Sequence, residues 1–323
     1  MTISGAIGAG FRLVHRNWQL VLIQFLMSVL GCIAFFVIIG LPLLVALVML
    51  GIDIAELAAF RDIVGTLSNP AEIINRYLGL VVVAAFSLFL YALLASSLWI
   101  YVAGGAAGVI GKSLQEPSER FTLREFMREG RRLFFPLAGY TAVIGMIAVA
   151  VLIVLGVLGG AMASGLTALS GETALGLFFK TFSALLFITS GIIFLFGLGA
   201  VALTGVVAIV LEGSGPLGAI SVAHRHLNRH PRALGLYAAV FAGYIAIDFV
   251  LMLTGYPLTL LPLGGVLLSI PYRLLSYVVQ GYLCLVMLAA AFAHYASFIS
   301  GDSIPGSGTS SEGAPPQGPP PYQ

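Results

Sequence analysis

A chain of 323 residues that is 59% hydrophobic and only 9% charged cannot present a water-soluble surface, since about a quarter of the residues of a soluble globular protein carry charge. The formal net charge of +2 is too small for the electrostatic footprint of a nucleic-acid binder, so no nucleic-acid partner is expected. Cys32 and Cys284, the two cysteines, both lie inside apolar runs and read as small packing residues, not as a disulfide or metal site.

The chain opens on a basic segment in which Arg12 and Arg16 share one helix face and Ile7, Phe11, Val14 and Trp18 recur opposite. A bilayer core about 30 Å thick takes about 20 apolar residues per helix, and a charge-free run of that length or more follows at 19–52. It is too long for a signal-peptide core and has no clear cleavage site, so it is expected to stay as an anchor. Pro42 and Gly51 mark places where it can kink or stop. A mixed-charge segment at 53–76 leads to a second run at 77–111.

The next segment is basic, with Lys112, Arg120, Arg124, Arg128, Arg131 and Arg132. Thr122 and Glu125 form a T-x-x-E capping box there, and Leu123, Phe126, Met127, Gly130 and Phe134 mark an apolar face. Runs at 133–171 and 181–211 then read as a third and a fourth span. Ser214 with Pro216 opens a third basic helix, bearing Leu217, Ile220 and Leu227 with Arg225, Arg229 and Arg232. A fifth run starts at 233 and continues past Asp248 to about 270, and a sixth covers 274–300. Pro257, Pro262 and Pro271 fall at their junction. The tail 301–323, rich in Pro, Gly and Ser and ending in PPPY, is expected to be disordered.

The expected fold class is therefore an all-α integral membrane protein with about six transmembrane helices. The helices fall into three repeats, about 1–111, 112–212 and 213–300, each preceded by a basic amphipathic interfacial helix. Apart from Arg61, Arg76, Lys180 and Arg273, the Lys and Arg residues gather on the side of the N-terminus. The positive-inside rule then places both termini in the cytoplasm of a cell with the protein in its inner membrane.

Residues 209–237 read IVLEGSGPLGAISVAHRHLNRHPRALGLY: an acidic residue, Glu212, ends a span, a Gly-x-Gly-Pro turn follows, and a basic helix leads to the next span at Tyr237. This resembles a prokaryotic superfamily of multi-pass membrane proteins that includes the membrane domain found beside glycerophosphoryl diester phosphodiesterases. The stretch 103–135 resembles the middle repeat of the same group. The resemblance implies the architecture; with no soluble phosphodiesterase domain in the chain, it implies no diesterase activity.

Asp248 is the main candidate for chemistry, because an ionisable group inside a span is costly and functional by default. Arg273 or Gln280 can partner it, which sketches an ion or substrate pathway. The arginine pairs Arg12 and Arg16, Arg128 and Arg132, and Arg225 and Arg229 are the candidates for lipid headgroup contact. His226 and His230 have an i, i+4 spacing that can hold a metal, yet arginines surround them and no Cys or carboxylate completes a site, so no metal and no cofactor are expected. No P-loop, nucleophile elbow or H-E-x-x-H helix occurs, and no residue set nominates an enzyme. The expected function is a non-enzymatic membrane module that binds a bilayer with anionic headgroups, or a membrane protein partner, through its basic helices. The alternative is a small transporter or channel built on Asp248.

Overall fold

The computed structural model describes residues 2–49, 70–116, 121–170, 174–259 and 262–302. Arg61, Arg120, most of the segment expected at 53–76 and the tail from 303 onward lie outside the described residues. What is described is all-α: α1 (Ile3–Arg16), α2 (Gln19–Phe35), a π-helical turn (Phe36–Gly40), α3 (Leu41–Met49), α4 (Pro70–Gln115), α5 (Leu123–Ser170), α6 (Ala174–Glu212), α7 (Pro216–Arg229), α8 (Pro231–Thr259) and α9 (Pro262–Asp302). Six of the resulting stretches are long and apolar enough to cross a membrane, which makes this a multi-pass membrane protein.

Local chemistry sets the breaks. The Thr2 hydroxyl accepts from the Gly5 N–H at 3.3 Å to start α1. At its end the Asn17 side chain donates to the Leu13 carbonyl at 2.9 Å, satisfying one of the orphan acceptors there. Pro42 has no N–H and crowds the carbonyl four residues back, and the π-helical turn just before it opens the backbone at that point. Gly213, at φ 67°, supplies the left-handed residue that stops α6. Pro216 at the first turn of α7 then restarts the chain. His230 is pushed out of helical geometry by the following Pro231, which separates α7 from α8.

The second basic segment departs from expectation. It is not a separate interfacial helix but the first turns of α5, which runs unbroken through Pro136 into the span. The Thr122 hydroxyl does cap the Glu125 N–H at 3.3 Å, but no capping residue like Asn17 follows Arg132, and Pro136 is carried inside the helix without ending it. The Glu125 carboxylate turns away from its expected capping role to pair with Lys112 and Arg128. The apolar faces differ too. α1 buries Ala6, Gly10 and Val14 against the protein, and α7 buries Ala219, Ala223 and Leu227, whereas Phe11, Trp18 and Leu217 are exposed. These helices therefore lay small residues on the bundle instead of a broad apolar face on lipid.

Consecutive helices pack as hairpins, α4 on α5, α5 on α6 and α8 on α9, and α1 closes the set by packing along α9. Along every long helix two zones alternate. Buried apolar side chains gather at the arginine-bearing end, within residues 6–20, 102–140, 200–237 and 285–295, and Ile39 is the one outlier among the described residues. Exposed large apolar side chains crowd the other zone. Among the described residues, the large apolar side chains exposed between Trp99 and Met146 are only Leu123, Met127 and Phe135, between Leu195 and Ile245 only Leu217 and Leu234, and past Tyr277 only Ile299. The apolar stretch Leu78–Gln115 is 38 residues long; at about 1.5 Å per residue this is nearly twice a bilayer core of roughly 30 Å. Its lipid-like part, from Leu78 to Trp99, is about one core thick.

Candidate functional site

The arginine-bearing end is built on glycine contacts. A Cβ on Gly105 would lie 2.6 Å from the Phe126 ring, one on Gly108 would lie 2.5 Å from the Glu129 Cβ, and one on Gly130 would meet Tyr101 at 3.1 Å. α4 and α5 thus cross in backbone contact. Gly10 of α1 approaches the backbone of Val286 and Ala290 on α9 to 2.9 Å by the same measure. Tyr140 donates to the Val201 carbonyl at 2.8 Å, and Thr204 and Tyr237 share a hydrogen bond of 2.8 Å, tying α5, α6 and α8 together.

Over this core stands an ionic lattice. Lys112 pairs with Glu125, Arg128 lies 3.1 Å from Glu125, and Arg132 lies 2.8 Å from Glu129. Glu129 is only 2% exposed, so the arginines that neutralise it make its burial tolerable. Sequence reading missed Glu129, because only its register over Gly108 distinguishes it from any carboxylate in a basic loop. Arg12, Arg16, Arg124, Arg128, Arg131, Arg132, Arg225, Arg229 and Arg232 all remain exposed. The Arg16 guanidinium is anchored by donation to the Ser113 carbonyl at 2.6 Å, beside Asn17, which donates to the Ser113 hydroxyl at 3.3 Å.

Elsewhere, the structure brings Asp248 and Gln280 together: Gln280 Nε2 donates to Asp248 Oδ1 at 2.5 Å across α8 and α9. Arg273 is exposed and forms no ion pair with Asp248. Its neighbour Tyr272 donates to the Leu251 carbonyl and meets the Thr254 hydroxyl at 2.5 Å, so a tyrosine makes the second polar joint between these helices. A lone carboxylate inside a span is thereby accounted for by one amide partner.

A cluster of rings joins α7 to α9. His226 lies 5.1 Å from His230 and 4.6 Å from Tyr295 between ring centroids, and Phe298 stacks near His230 at 4.3 Å and near His294 at 4.8 Å. Burial, reinforced by the neighbouring His230 and His294, pushes the His226 imidazole down to about 4. Tyr295 donates to the Glu212 carboxylate at 2.5 Å and so fastens α9 to the end of α6. Among the described residues no group of three or more His, Cys, Asp or Glu side chains is arranged to hold a metal ion. No family model matches the chain, and neither the curated proteins nor the solved structures contain a match.

Proposed function

We propose that the protein is a non-enzymatic membrane module that engages anionic lipid headgroups, or a partner at the same level, through the arginines of its packed end. The observation that carries this reading is the combination of nine exposed arginines with an apolar core directly behind them. Guanidinium groups held on a rigid base are suited to phosphate oxygens, which they bind in a forked geometry. Positive-inside sorting puts that end in the cytoplasm and the protein in the cell membrane. The superfamily resemblance at 209–237 is in keeping with a membrane module. Gln280, by holding Asp248, weighs against a transport pathway through that carboxylate.

The test is thermal unfolding of the full chain in nanodiscs of zwitterionic lipid alone or mixed with phosphatidylglycerol. Each arginine near an anionic surface contributes about 1 kcal/mol, so the anionic discs should raise the unfolding midpoint, and added salt should erase the gain. Replacing Arg124, Arg131, Arg225 and Arg232, four of the nine, with Gln should remove a little under half of it. Equal midpoints in both lipids would overturn the reading.

A further inference from the structure

We propose that the groove between α1 and α9, lined by Phe11, Arg12, His15, Arg16 and Tyr282, is a site for a single phospholipid, its phosphate held by Arg12, His15 and Arg16. The inference rests on the module reading and assigns it a particular pocket. The groove is shallow and open to its surroundings, with a volume of about 480 Å³. Arg12, His15 and Arg16 stand on one helical face by their i, i+3 and i+4 spacing, and none of the lining residues is acidic. Arg16 is fixed in place by the Ser113 carbonyl, and no carboxylate pairs with Arg12 among the described residues. Phe11 of α1 and Tyr282 of α9 meet across the groove with ring centroids 6.0 Å apart.

The position of the groove along the helices identifies the occupant as a lipid. In α9 the exposed apolar side chains end at Tyr277 and the buried core begins at Leu285, so Tyr282 sits at the change of zone. A tryptophan marks the same change on α4: Trp99, 64% exposed, closes its lipid-like part. Tryptophan and tyrosine collect at the headgroup level of a bilayer. The polar boundary of the membrane therefore passes near Trp99 and Tyr282, and the packed ends of the helices project beyond it. A phosphate in the groove is then at its natural depth, with an acyl chain running over Tyr282 along the exposed Leu275, two turns back on the same face of α9.

The experiment is native mass spectrometry of the full chain released from mixed phosphatidylcholine and phosphatidylglycerol, comparing the parent with Arg12→Gln/His15→Gln and with Lys180→Gln, a charge lost at the opposite end of the bundle. The parent and the second variant should retain one phospholipid through delipidation that the first variant binds about tenfold or more weakly, as expected for lost charge-assisted hydrogen bonds. Retention unchanged in Arg12→Gln/His15→Gln, with anionic discs still stabilising the protein, would overturn the groove and leave the module reading standing. Loss of a retained zwitterionic lipid without any anionic preference would uphold the groove and overturn the wider reading. Displacement of the lipid by millimolar glycerol phosphate or inorganic phosphate would overturn the lipid assignment, because a free anion would then suffice.

Discussion

Gly108 and Gly160 both lie in glycine-rich stretches of neighbouring helices, yet a Cβ on the first would sit 2.5 Å from Glu129 while a Cβ on the second would meet nothing within 4 Å. Gly156, also spaced four residues from Gly160, is equally open, whereas Gly104 lies against Leu137 at 3.2 Å. The same small-residue spacing therefore does opposite things at the two ends of the bundle. In the lipid-like zone, hydrocarbon chains satisfy apolar side chains as well as other helices do, so nothing drives helices together. At the arginine-bearing end the surroundings are headgroups and water. There the hydrophobic effect applies, and the apolar surface is buried against itself.

This comparison breaks if the two zones respond alike to a side chain added at glycine. Gly108→Leu should destabilise the protein by about 3 kcal/mol or stop it folding, the cost of overpacking a closed crossing. Gly160→Leu should change stability by less than about 0.5 kcal/mol. Thermal unfolding in one detergent reads both, and an equal loss at Gly160 would mean that the lipid-like zone packs against another chain. A smaller effect sharpens the picture. Tyr237→Phe removes the hydrogen bond to Thr204, which is fully buried, and should cost about 1 kcal/mol; no change in midpoint would deny that this end is the stability centre.

Composition alone carried the membrane assignment and the approximate spans, because apolar length is what a bilayer selects. The turn at Gly213 and the cap at Thr122 were legible as well, since each depends on one residue and its near neighbours. The division of a 38-residue apolar stretch into a lipid-facing and a core part was not. The alanines Ala106, Ala107 and Ala289 look alike in hydropathy wherever they point, and only helix rotation decides what they touch. For the same reason only part of the expected faces of α1 and α7 makes the contact: Val14 and Leu227 are buried as expected, but beside Ala6, Gly10 and Ala219 instead of the larger Phe11 and Leu217. Gln280 was recognisable as one of two partners for Asp248, and the choice between it and Arg273 required the helix register.

The smallest effect expected of the packed end is its response to acid. His226 is held down to about 4 from the usual 6.5 by burial and by His230 and His294. Tyr295 and Phe298 of α9 also face it, and Arg225 and Arg229 flank it on α7. Above pH 6.5 both the folded and the unfolded chain carry a neutral imidazole, and the residue has no influence on the pH dependence. As pH falls from 6.5 to 4, the unfolded chain binds a proton that the folded chain refuses, so stability is lost across that window and levels off below it. His226→Gln should leave the midpoint near pH 7.5 little changed and flatten its decline between pH 6.5 and 4 relative to the parent. Since half-exposed groups are partly screened by solvent, the difference in slope should be modest. Parallel declines in the two proteins would show that the ring cluster joining α7 to α9 opens to water before it titrates, and that the packed zone ends short of it.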